Sequence, residues 1–380
     1  MEQFSFAIDT DIRFGVGVRR ELGNAAAALG SRAMVVTGGH SLDTHGHGQE
    51  LVDLLEASGA EVVERVRAIG EPDDAAVIVA AERAVRAGVE VLVAIGGGSA
   101  IDLAKAIGVV AAGTDLAAAL EGAAVNRPGL PVIALPTTAG SGAEASRGAI
   151  VLQRSAARKR GIRGRGVAPR VAIVDPELVI GAGATVTASA GLDALAHAVE
   201  TAASRVASPL NILLAGEALR RLLDAIPAAL ADPEDVAPRA SAAYAALLMG
   251  MNLATSSTCL PHRLQYPLGA TTGTSHARGV AALMPAWLAR TRICAPDRLA
   301  MLARSAGIAG PDATAAAGAE TLVRVVGDWM NRIGMQTSLT ELGVAASQID
   351  HLVGMAEGTL SNDPGPVEPS DLATLYRESL

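Results

Sequence analysis

The sequence is short of cysteine and of long apolar runs. Its 380 residues include two cysteines, Cys259 and Cys294, which are too few for a disulfide framework or a four-thiolate zinc site. No uncharged apolar run reaches the roughly 18 residues of a membrane-spanning helix. The first residues also lack the basic and apolar regions of a signal peptide. We therefore expect a cytoplasmic protein without a membrane-spanning segment.

Aromatic residues and positive charge are scarce as well. The chain has three Phe, three Tyr and two Trp, so its core must be built from Ala, Val, Leu and Ile. Acidic residues outnumber Lys and Arg by 39 to 31, a net charge of −8, which argues against a nucleic-acid-binding surface. The length suggests two domains or one large domain.

The two halves of the chain differ in their periodicity. The first half alternates helices with short apolar stretches that predict strands at Arg32 to Thr37, Val89 to Ile95, Pro131 to Leu135 and Val171 to Val174. Strands alternating with helices indicate a mostly parallel α/β sheet. After about residue 180 the pattern is helical, with interruptions at Pro209, Pro227, Pro233 and Pro285. We predict an α/β nucleotide-binding domain over residues 1–178 and an all-α domain over residues 179–380.

Four further expectations concern the remaining segments. Weak alternation predicts strands at Phe4 to Arg13 and at Ala60 to Val66. The Arg/Gly-rich run from Arg154 to Arg170 suggests a solvated loop or a hairpin, and the Pro-rich stretch from Asp363 to Pro369 a surface excursion.

A glycine-rich motif follows one predicted strand directly. It reads Gly96-Gly-Gly-Ser-Ala-Ile-Asp-Leu-Ala-Lys105, and its glycines would let a ligand approach the start of the next helix, where free N–H groups favour an anion. A diphosphate seat and a tight turn that needs glycine for packing are both open readings. The motif is not the Gly-x-Gly-x-x-Gly fingerprint of a standard Rossmann fold. Pro136-Thr-Thr-Ala-Gly-Ser-Gly142 adds hydroxyls at the end of another strand.

Carboxylate and imidazole side chains are concentrated in the second half. Asp193 and His197 are four residues apart in an Ala/Leu-rich stretch, so a helix would place them on one face. His262 and His276 follow downstream. A carboxylate with imidazoles can hold a divalent metal, whereas an Asp-x-x-x-His pair alone is more often a surface hydrogen bond.

Taken in order, these four motifs resemble the iron-containing (group III) alcohol dehydrogenases over nearly the whole chain. The resemblance implies the dehydroquinate-synthase-like fold, with an active site in the cleft between an α/β and a helical domain. It also implies a homodimer or a higher homo-oligomer, and metal-dependent, NAD(P)H-linked hydride transfer to a small aldehyde or ketone.

The resemblance assigns roles to particular residues. Asp193, His197, His262 and His276 correspond to the four metal ligands. The residues on the cofactor side are Gly97, Gly98, Ser99, Asp102, Thr137, Thr138, Ser141 and Lys159. One carboxylate and three imidazoles suit Fe(II) or Zn(II), and the resemblance favours Fe(II).

The sequence departs from the family pattern at two places. Tyr266 stands where many members carry a second histidine near the substrate, so it either donates a hydrogen bond there or shapes the pocket. Gly38 stands where NAD-using members often carry an acidic residue for the ribose 2′-hydroxyl. Without that carboxylate, and with Ser41 nearby, we expect a preference for NADP(H) over NAD(H).

The substrate is less defined. Arg147, Arg263 and Arg278 each lie beside a motif residue, and arginines often bind carboxylate or phosphate groups. They suggest an anionic substrate, although each one also fits a structural ion pair. Alternatives to an aldehyde reductase are a glycerol-dehydrogenase-like or maleylacetate-reductase-like enzyme, a dehydroquinate-synthase-type cyclase or lyase, and a nucleotide-binding protein that has lost catalysis.

Overall fold

The computed structural model describes residues 3–39 and 47–380. These residues form two compact units. The first unit contains Ala7–Gly183 and Pro233–Ala254, and the second contains Ala184–Asp232 and Thr255–Leu380 with the residues before Ala7. Within the described ranges, no helix is long and apolar enough to cross a membrane.

The first unit is built on a six-stranded parallel sheet. The chain's strands are β1 (Asp11–Phe14), β2 (Arg32–Thr37), β3 (Glu61–Arg67), β4 (Val91–Gly96), β5 (Val132–Pro136), β6 (Gly148–Gln153), β7 (Arg158–Arg163) and β8 (Val171–Val174). The sheet order is β1-β8-β5-β4-β2-β3, while β6 and β7 form a separate antiparallel hairpin. Every residue of β4 is buried, as expected for a central parallel strand covered on both faces. The predicted parallel α/β sheet is confirmed.

The described residues of this unit form six α-helices: α1 (Leu22–Ala27), α2 (His47–Ala57), α3 (Asp74–Arg86), α4 (Gly98–Ala111), α5 (Leu116–Leu120) and α8 (Val236–Leu253). The Asp73 carboxylate caps α3 by accepting a hydrogen bond from the Ala76 amide at 2.8 Å, and Gly88, at φ +62°, follows the helix end. Helix α8 comes from the C-terminal half of the chain but packs with the α/β unit.

The second unit is helical, as predicted, and its described part contains no strand. Its α-helices are α6 (Ala184–Ala203), α7 (Pro209–Ala231), α9 (Leu260–Thr272), α10 (His276–Cys294), α11 (Pro296–Ser305), α12 (Ala315–Arg332), α13 (Ile349–Gly354) and α14 (Pro369–Glu378). Short 3-10 helices in the two units lie at Val18–Glu21, Arg154–Ala156, Arg165–Val167, Pro176–Val179, Ala346–Gln348 and Leu360–Asn362.

Several local predictions were wrong. Pro227 and Pro285 lie inside α7 and α10 and do not interrupt them; Pro227 is buried, so packing holds the helix where one backbone hydrogen bond is lost. Of the strand predicted at Phe4 to Arg13, only the end pairs, in β1.

The predicted surface excursion begins at a buried residue. The Asp363 side chain is 1% exposed. It accepts hydrogen bonds from Trp287 Nε1 and Arg290 Nη1, both at 2.8 Å, and from the backbone amides of Leu260 and Gly365. This carboxylate ties the starts of α9 and the Pro-rich segment to α10, because a buried charge needs such partners.

Candidate active site

The second unit brings a carboxylate and imidazoles together. Asp193 Oδ1 lies 3.2 Å from His262 Nε2 and 3.3 Å from His276 Nε2. The candidate ligand atoms of these three residues all lie within 4.8 Å of one another. Asp193 comes from α6, His262 from the first turn of α9, and His276 is the first residue of α10. We call Asp193, His262 and His276 the ligand cluster.

A tight connection sets the position of His276. Gly273, at φ +72°, ends α9, and Ser275 is the N-cap of α10; a left-handed residue at a helix C-cap is favourable for glycine. Helix α10 begins directly after this turn, and the rings of His262 and His276 are 5.2 Å apart between centroids.

His197 stands beside the ligand cluster. Its Nε2 lies 3.9 Å from Asp193 Oδ1, and its ring stacks on that of His262 with 4.5 Å between centroids. Burial lowers the pKa of His197 to about 4, so the imidazole is neutral at pH 7 and keeps a lone pair. Its Nδ1 is buried and has no hydrogen-bond partner among the described residues. A neutral imidazole next to a carboxylate suits a fourth ligand to one divalent ion.

Two residues without a role in the sequence analysis orient these imidazoles. Glu200, which is fully buried, accepts a hydrogen bond from His262 Nδ1 at 2.5 Å and another from the Cys259 amide at 2.8 Å. Gln265 Oε1 lies 2.8 Å from His276 Nδ1. An acceptor at Nδ1 keeps the proton there and directs the Nε2 lone pair of each ring into the ligand cluster.

These contacts shift the pKa values of Asp193 and His262 in the ligand cluster. Burial would raise the pKa of Asp193, but the surrounding imidazoles hold it well below its usual value. Burial would lower the pKa of His262, but Glu200 and Asp193 outweigh it and raise the value to about 10. A cation that takes Nε2 as a ligand displaces a proton from that position. The donor set, one carboxylate with three imidazoles, fits a divalent transition metal.

The first unit places the glycine motif where a ligand can approach. Gly96 ends β4, and α4 starts at Gly98 with Gly97 as its N-cap. No side chain of the described residues caps this end, so its first N–H groups can serve a bound anion. A Cβ on Gly98 would lie 2.9 Å from Ser141 Cβ, and one on Gly97 would lie 3.1 Å from Thr138 Oγ1. The two predicted cofactor loops therefore touch, through Gly97, Gly98, Thr138 and Ser141.

Helix α4, which follows this loop, carries two charged residues, Lys105 and Asp102. Lys105 Nζ donates to Ser146 Oγ at 3.1 Å, and to the backbone oxygens of Ser146 and Gly148 at 3.2 Å and 2.9 Å. Burial lowers its pKa to about 8. The Asp102 carboxylate, whose pKa burial raises to about 6, accepts from the Ile150 amide at 2.9 Å. Lys105 thus anchors the far end of the loop that carries Thr137, Thr138 and Ser141.

Other predicted cofactor residues are distributed over the same unit. Gly38 follows β2, and a Cβ there would lie 3.4 Å from Gly96 Cα, an ordinary contact. Ser41 lies outside the described residues. Lys159, in β7, forms an ion pair with Glu71 at 2.7 Å. Arg67 Nη2, at the end of β3, donates to Gly39 O at 2.7 Å.

The three candidate substrate arginines have different surroundings. Arg147, in the first unit, pairs with Asp9 and donates to two backbone oxygens. Arg278 Nη2 donates to Thr337 Oγ1 at 3.2 Å. Arg263 is 4% exposed, and within residues 3–39 and 47–380 its Nε has no hydrogen-bond partner. Tyr266 lies one turn after His262 on α9, with 6.5 Å between its ring centroid and that of His276.

Comparison with known proteins identifies the family of the chain. The family model for iron-containing alcohol dehydrogenase matches residues 9–176, and the C-terminal model of the same family matches residues 187–380. An NAD-dependent methanol dehydrogenase from Bacillus methanolicus is 28% identical, with 96% of this chain and 97% of that protein covered. A 4-hydroxybutyrate dehydrogenase from Cupriavidus necator is 32% identical, with 98% and 97% covered.

A solved structure shows the same fold. A sulfoacetaldehyde reductase from Bifidobacterium kashiwanohense, in complex with NAD+, superposes with a TM-score of 0.86 at 28% identity, covering 100% of this chain and 99% of that one. The fold class predicted from the sequence is thereby confirmed. The chain belongs to the iron-containing alcohol dehydrogenase family, and it is an NAD(P)-linked oxidoreductase that acts on the CH–OH group of an alcohol.

Proposed function

We propose that this protein is an Fe(II)-dependent reductase of small aldehydes or ketones, with Asp193, His197, His262 and His276 as its metal ligands. The observation that carries the proposal is the ligand cluster, in which one carboxylate oxygen lies within 3.3 Å of two imidazole Nε2 atoms. When bound, the ion would act as a Lewis acid on the C–O bond of the substrate, and the nicotinamide cofactor would supply the hydride chemistry.

Residues of the chain orient the metal ligands, contact the substrate and bind the cofactor. Glu200 and Gln265 hold the two imidazoles with their Nε2 atoms in the cluster. Tyr266, in place of the histidine of many relatives, offers its hydroxyl as a hydrogen-bond donor to the substrate. In the first unit, Gly97, Gly98 and Ser99 would seat the cofactor diphosphate at the start of α4.

The test is a purification with Fe(II) followed by metal analysis and an activity screen. We expect about one divalent ion per chain, and NADPH- or NADH-linked reduction in a panel of small aldehydes. A protein that binds no metal and reduces no aldehyde would contradict the proposal.

The buried carboxylate at His262 gives a first specific prediction. Glu200→Gln keeps the size of the side chain but replaces a charged acceptor at Nδ1 with a neutral amide. We expect the affinity for Fe(II) or Zn(II) to fall about 10- to 100-fold, because the acceptor raises the basicity of the ligand. Competition with a chelator measures this affinity, and thermal unfolding checks the fold.

A matched control is Glu217→Gln, which removes a carboxylate from α7 that pairs with Arg220 and Arg221 on the helix surface. Its metal affinity should equal that of the wild type. Equal metal affinity of Glu200→Gln and wild type would show that the carboxylate does not tune the site.

We further propose a preference for NADPH over NADH. Gly38, after β2, carries no carboxylate to hold a 2′-hydroxyl or repel a 2′-phosphate. Arg67 adds a guanidinium at the same loop, through its hydrogen bond to Gly39 O, and arginine binds phosphate groups well. One relative described above is an NAD-dependent enzyme, and one solved structure is a complex with NAD+. The cofactor preference therefore has to be measured on this chain itself.

Gly38→Asp is expected to shift the preference toward NADH. The new Cβ has room, since its nearest neighbour would be Gly96 Cα at 3.4 Å. The carboxylate would accept from the 2′-hydroxyl and repel the 2′-phosphate, so the NADPH/NADH ratio of kcat/KM should fall by at least about tenfold. Gly38→Ala serves as the control that adds volume without charge. A wild-type enzyme that favours NADH would refute the proposed preference.

A further inference from the structure

Arg263 is a buried cation without a matching anion. Its side chain is 4% exposed. Its Nη2 donates to Ser257 Oγ at 3.1 Å, while the buried Nε has no hydrogen-bond partner in the part of the chain that the structure describes. None of the ion pairs among the described residues includes Arg263. A buried guanidinium ordinarily pairs with a carboxylate or another anion, because its removal from water is costly.

The neighbouring carboxylates are committed to other donors. Glu200 accepts from His262 Nδ1 and from the Cys259 amide. Asp363 accepts from Trp287 Nε1, Arg290 Nη1 and two backbone amides. Among the described residues, neither carboxylate forms an ion pair with Arg263.

The position of Arg263 connects it with the ligand cluster. It directly follows His262 on α9 and lies three residues before Tyr266, on the same side of the helix. Its Cζ lies 6.0 Å from the centroid of the Tyr266 ring, and that ring lies 6.5 Å from the ring of His276. Tyr266 is therefore a common neighbour of the Arg263 guanidinium and of His276 in the ligand cluster.

The other two candidate arginines, Arg147 and Arg278, each have a carboxylate close to the guanidinium. Arg147 is paired with Asp9. Arg278 Nη2 donates to Thr337 Oγ1, which itself donates to Glu341 Oε2 at 3.0 Å, so a carboxylate already lies near that guanidinium.

We propose that Arg263 binds an anionic group of the substrate, so that the enzyme acts on small aldehydes bearing a carboxylate, phosphonate or phosphate. This rests on the proposed reductase function. A buried guanidinium forms charge-assisted hydrogen bonds to such a group, often as a fork with two parallel contacts. One such contact discriminates against an uncharged analogue by about ten- to a hundredfold.

The experiment compares succinic semialdehyde with its methyl ester, which keeps the aldehyde and the carbon chain but removes the charge. Wild-type enzyme should favour the acid by about ten- to a hundredfold in kcat/KM. Arg263→Met keeps most of the aliphatic stem and should bring the ratio close to one. The loss should lie in KM for the acid, because the anionic group is remote from the reacting carbon.

Three further variants sharpen the result. Arg263→Lys keeps the charge without the fork and should retain part of the preference. Arg263→Gln serves if the methionine variant fails to fold. Arg292→Met, at the far end of α10, removes a positive charge about 24 Å along the helix from His276 and should leave the ratio unchanged.

The outcomes separate the two proposals. Turnover of the ester that equals or exceeds turnover of the acid, or an unchanged ratio in both Arg263→Met and Arg263→Gln, would overturn the anionic site alone. Absence of turnover with every aldehyde in the metal-loaded wild type would overturn the proposed reductase function, and the anionic site with it.

Discussion

Replacing His276 with alanine is expected to abolish both bound metal and turnover. The variant removes one of two imidazoles whose Nε2 atoms lie within 3.3 Å of Asp193 Oδ1. Loss of a partner that merely orients a ligand already weakens metal binding about 10- to 100-fold, so loss of the ligand itself should exceed that. Turnover should fall at least as far, since the Lewis acid is then missing.

The fold should survive this change. His276 is the first residue of α10, its side chain is 31% exposed, and its Nδ1 contacts only Gln265 among the hydrogen bonds described above. Metal content, thermal unfolding and NADPH-linked turnover should be measured together. His351→Ala, which removes an exposed histidine on α13, is the matched control. A folded His276→Ala protein with full metal occupancy would refute the ligand assignment.

Much of the α/β unit could be predicted from local patterns. Apolar runs such as Val171 to Val174 are strands because a parallel sheet covered on both faces has no polar side. The glycine motif was correctly placed after a strand because glycine and a helix start are both visible locally. The hairpin strand β6 was missed, since Gly148–Gln153 pairs with an Arg-rich segment whose pattern resembles a loop.

The ligand cluster could be assembled only in part. The spacing of Asp193 and His197 predicted that both lie on one face of a helix. Both residues do lie in a helix, α6. The orienting role of Glu200 could not be predicted, because its contact with His262 joins residues 62 positions apart and exists only in the folded chain. Likewise, sequence could not separate Arg147 from Arg263, because the Asp9 partner of Arg147 lies 138 residues away.

Valine at position 98 is expected to prevent cofactor binding. A Cβ on Gly98 would already lie 2.9 Å from both Cβ and Oγ of Ser141, so the larger side chain must displace one of the two loops. It would also cover the N–H groups at the start of α4 that a diphosphate uses. Losing two charge-assisted hydrogen bonds of about 1.5–3 kcal/mol each corresponds to an affinity at least about a hundredfold weaker.

Cofactor fluorescence titration with NADPH and NADH measures this loss directly, without a substrate. Gly98→Ala should show an intermediate effect, because its single methyl group meets Ser141 but extends no further. Gly327→Val, on α12, adds the same side chain where a Cβ meets nothing within 4 Å, and its cofactor affinity should equal that of the wild type. All three variants should retain metal, since the ligand cluster lies in the other unit. Wild-type affinity for both cofactors in a folded Gly98→Val protein would mean that the diphosphate binds elsewhere. The role of Gly97, Gly98 and Ser99 would then be to pack a tight turn that needs small residues.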